Sequence, residues 1–389
     1  MVPVIDLDKE YGIVLEGGGA KGAYQIGAWK ALREAGVKIK GIAGTSVGAL
    51  NGALMCMDDY ELAEDLWKNI SYSKVMDVDD DKMGQLFLKK LPLKSVLKEI
   101  YTMLGDGGTD ITPLKQLIAK YVDEKKIRDS DKEFYILTFS VTDFKELDID
   151  MKEAEDGLIA DLLLASAYIF PLFKNEKLHG KNYIDGGVIN NVPLESLIKR
   201  NYKDIIMIRI FGVGREKKVK IAEDTTVITI EPRVKLGNIM EFDSKKSVQN
   251  MTIGYYDALR TIYGLQGKIY YIEQTLEEWY YINQLVSLSA EVNAYLTEVY
   301  KLDKKPEMAS RNIMEIILPA IAADLKLPKD WNYCQLYISM LEATAKYLRV
   351  QKYRLYTDQQ LLETVRKRAE GMKTRENPPT FVCIILNAC

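Results

Sequence analysis

Histidine is almost missing from this chain: 389 residues contain one, His179. Mechanisms that need a histidine cluster are excluded with it, among them the two-histidine zinc hydrolase motif. A Ser-His-Asp triad must use His179 or not exist. Cysteine is scarce too. Cys56, Cys334, Cys383 and Cys389 form no C-x-x-C pair, so neither a zinc site nor a disulfide framework is indicated, and a reducing compartment is expected. Long apolar runs are absent. The longest candidate, Ile316 to Ala323, is short and follows Glu315, well below the ~18–20 residues of a membrane span. The first residues, Met1 to Asp8, lack the basic and apolar segments of a signal peptide. A cytoplasmic protein with at most peripheral membrane contact is the expectation. A basic excess is also lacking: 53 Lys+Arg stand against 56 Asp+Glu, a net charge of −3, which argues against a dedicated nucleic-acid binder.

What is present is enough apolar residue, 47%, for a sizeable core, and length for about two domains. Tyr11 to Glu16 reads as a buried strand. Gly17 to Gly22 breaks it, and Ala23, Ile26, Trp29 and Leu32 then recur at helical spacing up to Gly36. A second unit repeats the order: strand Val37 to Ala43, turn Gly44 to Gly48, helix Ala49 to Met57. Two successive strand-turn-helix units imply an α/β fold with a parallel sheet and helices on its faces.

Residues 58–130 read as a mostly helical insertion or cap. Its segment Gln85 to Leu104 is amphipathic and carries Lys89, Lys90, Lys94 and Lys98, either a solvated basic face or a surface for anionic lipid. Strands return at Phe134–Phe139, Ile205–Ile210 and Val227–Ile230, with a helix over Leu158 to Ala167 stopped before Pro171. Beyond about residue 270 strand signals end. The expectation is a catalytic domain over 1–270, a helical C-terminal domain over 271–370 that could serve a homo-oligomer, and a linker with an apolar tail over 371–389. The tail run Phe381 to Leu386 is expected to dock as an edge strand.

Three motifs carry chemistry. Gly17-Gly18-Gly19-Ala20-Lys21-Gly22 mimics a dinucleotide fingerprint, but no Asp or Glu lies between Glu34 and Asp58, where the ribose-binding acid belongs. A Walker A loop is absent as well. What remains is a flexible backbone at a helix start, suited to holding negative charge. Gly44-Thr45-Ser46-Val47-Gly48 is a G-x-S-x-G turn, which presents a serine hydroxyl at the C-terminal edge of a sheet. Asp185-Gly186-Gly187 ends a strand with a carboxylate on an uncrowded backbone. Alone it is a common turn. A nucleophilic serine needs a base within hydrogen-bond reach. No histidine follows Asp185, so the usual hydrolase order Ser, acid, His cannot be met. The economical reading is a Ser46–Asp185 dyad.

With these motifs in this order the sequence resembles the patatin-like lipid acyl hydrolases, which combine G-G-G-x-[KR]-G, G-x-S-x-G and D-G-[GA]. Ala165-Ser166-Ala167 with Pro171 downstream, and Asn190-Asn191-Val192-Pro193, add to the resemblance, which spans roughly residues 8 to 270. It implies a patatin-like three-layer fold with a mostly parallel central sheet. It implies Ser46 as nucleophile, Asp185 as base, and an oxyanion loop of Gly17, Gly18, Gly19 and Lys21. The amides of Gly18 and Gly19 would be the donors, and Lys21 would lend charge. Gly22, Gly44, Gly48, Gly186 and Gly187 would support the turns. A phospholipid or other glycerolipid at a membrane or micelle surface is the implied substrate, and neither metal nor cofactor is required. Asp77, Asp79 and Asp81 open like a calcium loop, but Lys82 stands where the needed glycine belongs. A non-catalytic lipid-binding or scaffolding protein and a serine esterase of small soluble esters remain as alternatives.

Overall fold

The apolar run that precedes Gly17 sets the centre of the sheet. In the computed structural model β1 (Glu10–Leu15) is buried from Tyr11 onward, as a strand covered on both faces must be. Residues 1–89, 91–104, 109–168, 173, 177–302, 308–371 and 378–388 are described; Lys90, Pro171 and Cys389 lie outside them. Around β1 lie β2 (Lys38–Thr45), β3 (Glu133–Ser140), β4 (Lys145–Asp150), β5 (Tyr183–Asp185), β6 (Asp204–Ile208) and β7 (Thr226–Ile230). The order is β4-β3-β2-β1-β6-β7, with β5 also on β3. β1, β2, β3, β6 and β7 run parallel; β4 and β5 are antiparallel to β3.

Alternation along the strands separates two layers of helix. Val14, Ala43 and Tyr135 pack with Leu194 and Leu197 of the helix Leu194–Lys199. Their neighbours Ile42 and Phe134 meet the helix over Val47–Cys56 so closely that a Cβ on Gly52 would fall 2.7 Å from Phe134. We label the helix Ala23–Glu34 α1 and Val47–Cys56 α2. The helix Ser244–Tyr263 lies against α1 nearly backbone to backbone. A Cβ on Gly27 would fall 1.8 Å from the Met251 carbonyl, and one on Gly254 would fall 2.0 Å from that of Tyr24. Between α2 and β3 the chain forms the helices Tyr60–Lys68, Asp80–Leu88, Leu93–Leu104, Thr112–Tyr121 and Glu124–Asp129. Asp79 caps the second of these, accepting from the Lys82 amide at 2.8 Å.

The chain divides into two compact units, residues 2–262 and residues 263–389 with Met1. The second is built from the helices Glu278–Val286, Ala290–Val299, Tyr333–Tyr347, Asp358–Glu370 and Thr380–Leu386. A further helical stretch passes through a π turn, Ile313–Ile317, just before Pro319. A proline removes one helical hydrogen bond and crowds the preceding turn, which the wider π turn relieves. Two expectations fail here. Strands do not end at 270: β8 (Tyr271–Glu273) and β9 (Leu355–Thr357) pair in parallel. The tail is not an edge strand but the helix Thr380–Leu386, whose Cys383, Ile384 and Ile385 share one core with Leu336 and Leu341. A short continuous apolar run does not distinguish the two. No helix among the described residues is long and apolar enough to cross a membrane.

Candidate active site

The register of β3 places the two chemical motifs side by side. β2 stops at Thr45, paired with Leu137; β5 then takes up the vacated edge of β3, with Asp185 paired to Thr138. Adjacent residues of β3 therefore hold the strand end that carries Ser46 and the strand end that is Asp185. No spacing in the sequence reports this juxtaposition.

Ser46 joins β2 to α2 at φ 56°, ψ −128°, a conformation that a non-glycine residue adopts only when its surroundings impose it. The surroundings are identifiable. The Ser46 amide donates to Ser166 Oγ at 2.9 Å, and that hydroxyl donates onward to the Leu137 carbonyl at 2.6 Å. A Cβ on Gly48 would sit 2.3 Å from the Leu15 carbonyl oxygen, and one on Gly44 would sit 2.3 Å from that of Gly48. The G-x-S-x-G spacing is thus a packing requirement of the elbow. Ser166, noted in the sequence without a role, is the side chain that pins it.

Asp185 is buried beside Ser46. Its amide donates to the Tyr168 carbonyl at 2.8 Å, and its Oδ1 accepts from the Gly187 amide at 2.7 Å. Burial pushes the carboxyl up to about 6, against the opposing pull of hydrogen bonds from the Ser46 hydroxyl and the Gly187 amide. Gly186 is required because a Cβ there would lie 2.5 Å from the Leu137 carbonyl oxygen. His179 is elsewhere: it is exposed in the turn after Leu178, with Nε2 2.7 Å from Asp161 Oδ2.

The amides of the glycine-rich loop fall into two groups. The Gly17 amide is spent on the Asn191 carbonyl at 3.0 Å, and that of Ala20 on Ile239 at 2.7 Å. The amides of Gly18 and Gly19 have no partner among the described residues. Gly19 adopts φ 55°, where a Cβ would strike the Ile239 carbonyl oxygen at 2.1 Å. The Lys21 ammonium does not stand free as an oxyanion partner either. It donates to the Phe211 carbonyl at 2.5 Å, and burial lowers its pKa. Gly17 and Lys21 therefore brace the loop, and Gly18 and Gly19 offer the open donors.

The bracing centres on a residue that sequence reasoning passed over. Glu16, buried, accepts from the amides of Ile210 (2.7 Å), Phe211 (3.0 Å) and Gly212 (3.1 Å) and from Arg209 Nε (3.0 Å). Its own carbonyl accepts from Gln25 Nε2 at 2.7 Å, and Gln25 joins Asn51 and Trp67 in a buried chain of side-chain bonds. One signal was available: an acid closing an otherwise apolar strand must find several donors when buried.

A cavity of about 100 Å3 has Ser46 and Gly19 in its lining. Its walls are almost wholly apolar, with Leu50, Leu54, Ile70, Leu114 and Phe173 among them. An acyl chain fits that chemistry; a sugar or nucleotide does not.

Residues 13–198 match the family model described as patatin-like phospholipase. A probable lipid hydrolase, 463L, of Invertebrate iridescent virus 6 is 27% identical over 49% of this chain and 64% of its own length. The neuropathy target esterase sws of Drosophila sechellia is 30% identical over 47% of this chain and 11% of its own length. The chain thus spans less than two thirds of these curated relatives. Among solved structures, VipD from Legionella pneumophila aligns with TM-score 0.37 and 13% identity, over 97% of this chain and 90% of that one. ExoU, in complex with SpcU from Pseudomonas aeruginosa, aligns with TM-score 0.30 and 15% identity, over 97% and 76%. Residues 13–198, a little under half of the chain, are thus similar to the patatin-like phospholipase family.

Proposed function

We propose that this chain is a lipid acyl hydrolase acting through a Ser46–Asp185 dyad on fatty-acyl esters of glycerolipids. The observation that carries the reading is the apolar cavity that Ser46 and Gly19 help to line. It would receive the acyl chain and leave the ester carbonyl above the serine. Ionised Asp185 takes the proton as Ser46 Oγ attacks that carbonyl carbon. The open amides of Gly18 and Gly19 receive the oxyanion at the loop that precedes α1. Collapse of the tetrahedral adduct expels the lysolipid or alcohol, which takes the proton back from Asp185. Water, deprotonated by the same carboxylate, then attacks the acyl-enzyme and releases the fatty acid. The match of residues 13–198 to the patatin-like phospholipase model, and the viral lipid hydrolase and fly esterase among the relatives, support the same chemistry.

The test is fatty-acid release from dispersed diacyl phospholipid with EDTA present. Wild type should release fatty acid. Ser46→Ala and Asp185→Asn should each lower the rate by about 10³-fold or more, and His179→Ala should not. Equal rates in wild type and Ser46→Ala would refute the dyad. Release from soluble short-chain esters with no rise on aggregation of the substrate would instead assign a soluble-ester hydrolase.

A further inference from the structure

We infer that the C-terminal edge of the sheet docks on a bilayer surface containing anionic lipid, through exposed apolar side chains and the cations on the same stretches that make no ion pair among the described residues. The inference rests on the reading of Ser46 as the nucleophile of a lipid hydrolase. Three stretches meet at that edge. The turn after β3 holds Val141 and Phe144, the latter 84% exposed and in edge contact with Phe139 at 5.7 Å. Val188 follows the Asp185 motif directly. The segment after β6 holds Phe211 and Val213, 48% and 60% exposed. The stretches are tied together: the Val141 amide donates to the Asn182 carbonyl at 2.9 Å, and the Arg215 amide to that of Gly187 at 2.9 Å. Five large apolar side chains exposed on three linked stretches at one sheet edge demand an occupant, since isolated exposed residues are ordinary but such a group is not.

Charge selects the occupant. Lys145, Arg215, Lys218 and Lys220 are exposed on the same stretches and make no ion pair among the described residues. Of the acids beside them, Asp143 pairs with Lys181, Glu146 with Lys217, Glu216 with Arg209 and Asp224 with Lys203, which leaves Glu223 alone without an ion pair among the described residues of these stretches. Outward charge here is positive although the whole chain carries −3. Lys218 and Lys220 face out because Val219 between them packs inward against the cluster around Leu197. Apolar side chains for the acyl boundary and cations for anionic head groups are the two attractions of an interfacial protein.

The experiment sediments Ser46→Ala protein, which consumes no lipid, with vesicles of phosphatidylcholine alone or mixed with phosphatidylglycerol. Phosphatidylglycerol should raise binding about a hundredfold or more, as four cations at about fivefold each allow. Phe144→Ser with Val213→Ser should weaken binding to both vesicles. Lys218→Ser with Lys220→Ser should remove much of the phosphatidylglycerol gain, about fivefold for each cation. Unchanged thermal midpoints confirm that the variants fold. Binding that none of these substitutions alters would overturn the surface, as would loss of self-association with vesicle binding unchanged, which would assign the rim to protein contact. The two readings fail separately. Vesicle binding that responds to the substitutions in a wild type that releases no fatty acid sinks the hydrolase and keeps the surface. Fatty-acid release with unresponsive binding does the reverse.

Discussion

Asp185 is where burial and chemistry meet in one side chain. A carboxylate at its ordinary pKa near ~3.9 is a poor base for a hydroxyl. Lifted to about 6 by burial, it holds a proton more readily and still ionises at neutral pH. In the proposed role of base it would work only when ionised, so kcat/KM should rise with pH through about 6 and level off above. A profile flat from pH 5 to 8 would remove Asp185 from that role. The same shift has a stability consequence. The native carboxyl binds its proton more tightly than the unfolded one, so its contribution is fully present below pH 4 and is lost as pH rises through about 6. Above that, the buried charge costs on the order of 2–3 kcal/mol, at about 1.4 kcal/mol for each pH unit. Asp185→Asn keeps an acceptor for the Gly187 amide and carries no charge. It should therefore abolish turnover yet raise the thermal midpoint at pH 8, with the gain vanishing toward pH 4. A variant less stable than wild type at pH 8 would contradict the burial argument.

At the scale of the element, the turns were legible and their partners were not. Two strand-turn-helix units could be read because glycine punctuates them and apolar periods flank them. The elbow could be read because G-x-S-x-G has a mechanical reason, which the structure supplies in the Leu15 carbonyl facing Gly48. Gly48→Ala would bring a Cβ to 2.3 Å from that backbone oxygen. The elbow must shift, at about 1–3 kcal/mol, and turnover should collapse with the aim of Ser46. Gly84→Ala is the control. It lies in the helix Asp80–Leu88 with nothing within 4 Å of its added methyl, so it should leave activity intact and stabilise by up to about 1 kcal/mol. Loss of activity in both would show general fragility of the fold. What escaped the sequence escaped for physical reasons. The donors around Glu16 lie nearly 200 residues away in the chain. β8 and β9 are three residues each, too short for a period. The tail's four consecutive buried residues suit helix and strand alike.

For the molecule as a whole, each unit has a cluster of buried side chains of its own. One cluster draws on Tyr270 to Ile385, while the cluster around the sheet draws on Val14 to Ile205. The candidate dyad, its oxyanion amides and the apolar cavity all belong to the first unit, residues 2–262. Damage to the helical core should therefore be felt first where that core is. Leu341 is fully buried in it, and Leu341→Ala should cost about 2–5 kcal/mol there by lost burial and a residual cavity. In a calorimetric scan the variant should lower one transition by several degrees. A second transition, that of the sheet, should keep both its midpoint and its response to Asp185→Asn. Two cores that instead melt as one would shift together, and the gain from Asp185→Asn would then raise the single midpoint of the Leu341→Ala protein as well.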